Sequence, residues 1–107
     1  MITKDKKILI VGLGLMGGSY ADALTKAGFE VGAITRSQHS IDFAVKNGII
    51  RHGSIEIESD YVGRFDIIVF SLYPKTFTEW IEKYQKFLKS GALITDVTGV
   101  KRPIVEK

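Results

Sequence analysis

A mainly parallel α/β sheet, doubly wound with helices on both faces, is the fold class this sequence predicts. Three observations predict it. Short β-branched apolar runs alternate with segments of helical spacing along the chain. The runs are continuously apolar rather than alternating, which is the pattern of strands buried on both faces. Glycines punctuate the joins. Alternation of this kind favours a parallel sheet with right-handed crossovers. At 107 residues, the chain suits one domain and can bury roughly 60–70% of its unfolded surface.

Ile8 to Val11 reads as the first buried strand, with Lys4, Lys6 and Lys7 as its solvated lead-in. The run breaks at once into glycines, and no small-residue cleavage site follows, so a signal peptide is not indicated. No apolar stretch approaches the length of about 20 residues that a membrane crossing needs. From Leu15 the spacing becomes helical, with Met16, Tyr20, Ala23, Leu24 and Ala27 on one predicted face and Gly28 as the stop. Phe29 to Ile34 reads as a second strand. Ser37 is an N-cap candidate for a second helix, with Ile41, Ala44 and Val45 inward and Gly48 at its end. Gly48-Ile49-Ile50 is a candidate start for a short strand, and residues 51–64 read as a connection with a brief polar helix.

Phe65 to Leu72 is the clearest later strand, ended by Pro74. Phe77, Trp80, Ile81, Tyr84, Phe87 and Leu88 follow at helical spacing, and Gly91 closes that helix. This aromatic stripe reads as core, or as a surface covered by an absent partner, before it reads as a cofactor box. Ala92 to Val97 gives a further strand, and Pro103 suits the first turn of a last helix.

Composition narrows the function classes. With 45% hydrophobic and 25% charged residues, this is an ordinary globular composition. The net charge of +3 comes from lysines spread along the chain. That reads as a solvated surface rather than a nucleic-acid footprint, and it suits an anionic cofactor or substrate. The absence of cysteine excludes disulfides, thiolate metal sites and a cysteine nucleophile. It agrees with a cytoplasmic location. Neither a nucleic-acid nor a membrane partner is expected, and no metal site is expected.

The chemistry concentrates at Gly12-Leu13-Gly14-Leu15-Met16-Gly17. A G-x-G-x-x-G pattern alone is weak, but here it follows a predicted buried strand and opens a predicted helix. Gly12 allows the tight turn, Gly14 lets a pyrophosphate approach the backbone, and Gly17 lets helix and strand pack closely. The free N–H groups of the helix start face the phosphates. This is the arrangement of a Rossmann-type dinucleotide-binding domain.

The end of the second strand speaks to which dinucleotide is bound. NAD sites usually place Asp or Glu there, about 20 residues past the glycines. This chain has Thr35-Arg36-Ser37, and its nearest acid, Glu30, lies at the other end of the strand. A guanidinium with two hydroxyl neighbours suits the extra phosphate of NADP. One charge-assisted hydrogen bond contributes about 1.5–3 kcal/mol, on the order of ten- to a hundredfold in affinity. NADP is therefore favoured over NAD. The bland readings are a surface arginine and a serine that only caps. Ser37 can cap and bind at once.

Ser71-Leu72-Tyr73-Pro74 ends a central strand, where ligands of open α/β sheets sit. Ser71, Leu72 and Tyr73 are candidates for the nicotinamide side, and a plain strand-to-helix turn is the alternative. Asp96-Val97-Thr98-Gly99-Val100-Lys101 ends the next strand at the same crevice. Thr98 and Lys101 are candidates to reach a substrate carboxylate or the cofactor ribose. His39, two residues past Ser37, reads as an exposed helix residue, with contact to the adenine end as the alternative. His52 has no assigned role.

Two segments carry a resemblance. Ile10 to Ser19 (I-V-G-L-G-L-M-G-G-S) with Ile94 to Pro103 (I-T-D-V-T-G-V-K-R-P) resembles the N-terminal domain of prephenate and arogenate dehydrogenases. The first motif is shared with the wider β-hydroxyacid dehydrogenase group; the second is more specific in its position. The resemblance implies oxidative decarboxylation in tyrosine biosynthesis, with hydride passing from the hydroxyl-bearing ring carbon to nicotinamide as carbon dioxide leaves. It implies that Gly12–Gly17 hold the pyrophosphate, Thr35–Ser37 the adenosine ribose, and Ser71–Pro74 and Thr98 lie near the nicotinamide. Many members carry D-V-G-S-V-K, whose serine contacts the substrate hydroxyl. Here the pair is Thr98-Gly99, so that contact is lost or moves to Thr98, the one catalytic candidate in this chain. The family's catalytic histidine, and the helical domain that completes the substrate pocket and makes the homodimer, fall beyond this chain. Residues 1–107 are then expected to bind cofactor without turning over prephenate or arogenate. The cofactor domain of another β-hydroxyacid-type dehydrogenase and a non-catalytic nucleotide-sensing module are the alternatives.

Overall fold

The structure is a computed structural model that describes residues 6–12, 15–72 and 74–96. In chain order it has β1 (Lys7–Val11), α1 (Leu15–Lys26), β2 (Glu30–Ile34), α2 (Gln38–Lys46) and β3 (His52–Ser54). Then come α3 (Ser59–Val62), β4 (Ile67–Phe70), α4 (Pro74–Tyr84), a 3-10 turn (Gln85–Phe87) and β5 (Leu93–Asp96). The five strands form one sheet in the order β3-β2-β1-β4-β5, every pair parallel. The doubly wound α/β class is as the alternating runs predicted.

Period-two geometry splits the apolar runs between two cores. Ile8 and Ile10 point to one face, with Val31, Ala33, Ile67 and Val69, where Ala21 of α1 and Ala44 of α2 cover them. Leu9 and Val11 point to the other, with Ile68 and Phe70, under Val62 of α3 and Trp80 of α4. β1 and β4 are sandwiched, which is why every residue of Ile8–Val11 and Ile67–Phe70 is buried. The aromatic stripe is core: Phe70 meets Phe77 and Trp80 edge-on at 4.8 and 5.0 Å between ring centroids.

The inner face of α1 differs from the expected one. Ala21 is fully buried, Gly17 is buried and Leu24 is partly buried, whereas Ala23 and Ala27 are exposed and Tyr20 is 41% exposed. Close contact between Gly17 and the end of β1 fixes the rotation of the helix, so its inward row is 17-21-24. Val45 is likewise outward, 43% exposed. Ile49 and Ile50 double back after α2, their N–H groups bonding to the Ala44 carbonyl at 2.8 and 3.4 Å, and they fill the core in its place. They therefore close α2 instead of opening a strand; β3 starts later, at His52. Pro74 opens α4, the position where a missing N–H costs nothing, and β4 stops four residues before it at Phe70. Val97 and Pro103 lie outside the described residues.

Candidate functional site

Chain order reverses at β1: β2 and β3 lie on one side, β4 and β5 on the other. The carboxyl ends of β1 and β4 therefore flank a crevice, the place where ligands of such sheets bind. Main-chain bonds fix its floor. The Gly12 N–H donates to the Ile34 carbonyl at 2.7 Å, the Ser71 N–H to the Val11 carbonyl at 2.8 Å, and the Thr35 N–H to the Ser54 carbonyl at 3.2 Å.

Gly12 turns the chain out of β1 with a φ of +92°, a region that costs a side-chain-bearing residue energy. A Cβ there would lie 2.6 Å from the Ser71 carbonyl oxygen and 3.0 Å from Leu72 Cδ2. A Cβ on Gly17 would lie 2.3 Å from the Gly12 carbonyl oxygen and 3.1 Å from both Cβ and Oγ of Ser71. Both positions thus accept glycine alone, which lets the end of β1, the start of α1 and the end of β4 come into close contact. α1 starts there with no acidic residue in its first turn, so the positive end of its dipole is not neutralised locally. That cradle fits the pyrophosphate of a dinucleotide. Leu15 and Met16 supply backbone of the first helical turn. Leu13, Gly14, Tyr73 and Thr98 lie outside the described residues.

At the end of β2, Thr35 is partly buried, and Arg36 and Ser37 are exposed. Ser37 has the extended backbone of an N-cap, φ −111° and ψ 116°, and its Oγ accepts the Ser40 N–H at 3.2 Å. Accepting that bond leaves the hydroxyl hydrogen free to donate outward. Arg36 makes no hydrogen bond or ion pair among the described residues. None of residues 34–37 carries a carboxylate. Glu30 occupies the first position of β2, about 13 Å away at roughly 3.3 Å per residue. His39 is an exposed residue in the first turn of α2.

Glu30 has a different occupation, which sequence reasoning missed. His52 Nε2 lies 3.1 Å from its carboxylate, and His52 Nδ1 lies 2.8 Å from the Tyr61 hydroxyl. Burial pushes the Tyr61 phenol up to about 12, so it keeps its proton and can donate to Nδ1. The hydrogen bond to His52 holds the Glu30 carboxyl below its usual range. The signal was Gly32, a glycine inside a strand, which marks close approach by another group. A Cβ on it would lie 2.6 Å from Tyr61 Oη, 2.7 Å from His52 Cε1 and 2.8 Å from Phe65 Cζ. This cluster braces the β2–β3 edge and stands apart from the crevice.

The crevice can therefore bind and orient a nucleotide. Its described side chains, Thr35, Arg36, Ser37, Ser71 and Leu72, offer hydroxyls, one cation and an apolar surface, with no imidazole or carboxylate to move a proton. No group of three metal-ligating side chains occurs among the described residues, and no described helix is long and apolar enough to cross a membrane.

Comparison with known proteins agrees with this geometry. The family described as the NAD binding domain of 6-phosphogluconate dehydrogenase matches residues 7–106. A prephenate dehydrogenase of Lactococcus lactis subsp. cremoris is 36% identical over 103 residues, covering 94% of this chain and 28% of that protein. Among solved structures, prephenate dehydrogenase from A. aeolicus, in complex with hydroxyphenyl propionate and NAD+, superposes with a TM-score of 0.76 at 34% identity. The match covers 85% of this chain and 32% of that one. Synechocystis arogenate dehydrogenase superposes with a TM-score of 0.78 at 29% identity, covering 94% and 35%. The chain thus spans about a third of the length of these relatives, and the resemblance drawn from its two motifs is borne out.

Proposed function

Because the chain belongs to the family described as the NAD binding domain of 6-phosphogluconate dehydrogenase, we propose that it is the cofactor-binding part of a prephenate or arogenate dehydrogenase that oxidatively decarboxylates its substrate. The observation that carries this is the glycine cradle at the switch point, where Gly12 and Gly17 admit no Cβ against Ser71 and the Gly12 carbonyl. The amides at the start of α1 and the turn from Gly12 through Leu13, Gly14, Leu15 and Met16 to Gly17 hold the pyrophosphate. Thr35, Arg36 and Ser37 hold the adenosine ribose. Ser71, Leu72, Tyr73 and Thr98 flank the nicotinamide. When bound, the nicotinamide supplies the hydride acceptor. This chain's own residues fix its position and shield one side of it. The substrate pocket, the proton-handling group and a homodimer contact belong to the other two thirds of a protein as long as the relatives.

The preferred cofactor is NADP. Residues 34–37 carry no carboxylate to accept from the ribose hydroxyls or to repel a phosphate. The Arg36 guanidinium is exposed, and the Ser37 hydroxyl retains its donor while capping α2. The test is a pair of calorimetric titrations of the 107-residue chain with NADP and with NAD, repeated on Arg36→Ala. The expected result is tighter NADP binding that falls roughly ten- to a hundredfold in the variant, with NAD little changed. Equal or tighter NAD binding by the wild type would reject the NADP preference and keep the domain assignment. Binding of neither would reject the assignment.

A further inference from the structure

We propose that Ser71 is a positioning residue whose small size sets the height of the first turn of α1 and so shapes the pyrophosphate cradle. This rests on the cofactor reading above and adds a role that no nucleotide contact of Ser71 would supply.

Ser71 touches three successive parts of the strand–turn–helix unit. Its N–H is bonded to the Val11 carbonyl at the end of β1. Its carbonyl oxygen covers Gly12, 2.6 Å from where a Cβ would stand, and its Cβ and Oγ both lie 3.1 Å from the corresponding point on Gly17. The first contact ties Ser71 to the sheet, because the preceding pair, Phe70 and Val11, is already in register. Ser71 cannot retreat, so a larger side chain must push the helix start. The Gly12 carbonyl lies on the same side, 2.3 Å from that point on Gly17, so a push from Ser71 lifts the helix start away from the turn as well as from β4. Displacing this turn moves the helix amides and the dipole end together, and the strength of such an anion site depends on their aim. The end of β4 thereby acts on the phosphate end of the ligand through Gly17, without touching it.

The experiment compares Ser71→Ala, Ser71→Thr and Ser71→Val in the 107-residue chain. ADP-ribose is the probe, because it has the pyrophosphate and lacks nicotinamide; adenosine is the control, because it lacks phosphate. Affinities are read by NMR titration. A size limit predicts that ADP-ribose binds the Thr and Val variants about equally, each roughly tenfold more weakly than Ala, while adenosine affinity stays within about twofold throughout. A hydroxyl that serves as a ligand predicts the reverse order for the first two, with Thr better than Ala, and that result overturns the proposal. Equal weakening of adenosine also overturns it, since the whole domain would then be perturbed. If Ser71→Val does not fold, the Ala–Thr comparison decides alone. Failure of the wild type to bind ADP-ribose removes the cofactor reading, and this inference with it; binding without the size order removes the inference only.

Discussion

Asp66 Oδ2 accepts the main-chain N–H of Lys7 at 2.9 Å, joining two residues 59 positions apart in sequence. The other carboxylate oxygen accepts from the Lys89 ammonium. The Asp66 main chain completes the clamp, its N–H donating to the Lys7 carbonyl at 2.8 Å and its carbonyl accepting the Leu93 N–H at 2.9 Å. One residue thus ties the amino ends of β1, β4 and β5.

The Lys89 hydrogen bond, and then the Lys7 amide, hold the Asp66 carboxyl below its ordinary 3.8. A depressed carboxyl contributes stability that is complete above about pH 5 and is lost as pH falls through about 4 and below. Asp66→Asn is expected to cost about 1 kcal/mol at neutral pH, allowing for solvent screening of Lys89. Urea denaturation of both proteins at pH 7 and near pH 3 checks this. A gap that stays constant with pH would show that the charge contributes nothing.

Gly32→Ala is expected to destabilise the domain by about 1–3 kcal/mol, since the new methyl meets Tyr61, His52 and Phe65 at once. The same variant should leave cofactor affinity within about twofold, because the cluster lies away from the crevice. Thermal unfolding and a cofactor titration on the same sample separate these effects. A large affinity loss in a folded variant would mean that the β2–β3 edge is coupled to the site.

Ser37 has two roles that different substitutions divide. Ser37→Ala removes the cap on α2 and should cost about 1 kcal/mol. Ser37→Asp keeps a capping oxygen, yet places a negative charge beside Arg36. It should hold the wild-type unfolding midpoint within a few degrees and lower the NADP-to-NAD affinity ratio by on the order of tenfold. Unchanged preference in the Asp variant would confine Ser37 to capping.

The strands and the glycine turn were legible because their signals are local. β1 and β4 are sandwiched, so continuous apolar runs give them away, and Gly12 and Gly17 announce themselves by spacing. Helix rotation was not legible. Tyr20, Ala23 and Ala27 fit a helical period as well as Gly17, Ala21 and Leu24 do, and only the Gly17 contact with Gly12 chooses between them. Ile49 and Ile50 read as strand because apolar pairs look alike whether they pair with a neighbour or fold back on a helix. His52 and Glu30 are 22 positions apart, and nothing short-range links them. Of the candidate site, the position of Thr35–Ser37 at the end of β2 could be read from the sequence, whereas the close approach of Ser71 to Gly17 arises only once β4 lies beside β1.

The sheet divides its labour by direction. The carboxylate anchors, Glu30 on the His52 ring and Asp66 on the Lys7 amide and the Lys89 ammonium, gather at the amino ends of β2 and β4. At the opposite rim, the bonds that tie Gly12, Thr35 and Ser71 to their neighbouring strands are main-chain ones. Main-chain bonds are indifferent to which side chain a position carries. Residues 35–37 can therefore be exchanged without breaking an ion pair, so the sequence of this rim is free to drift while the anchoring end stays as it was.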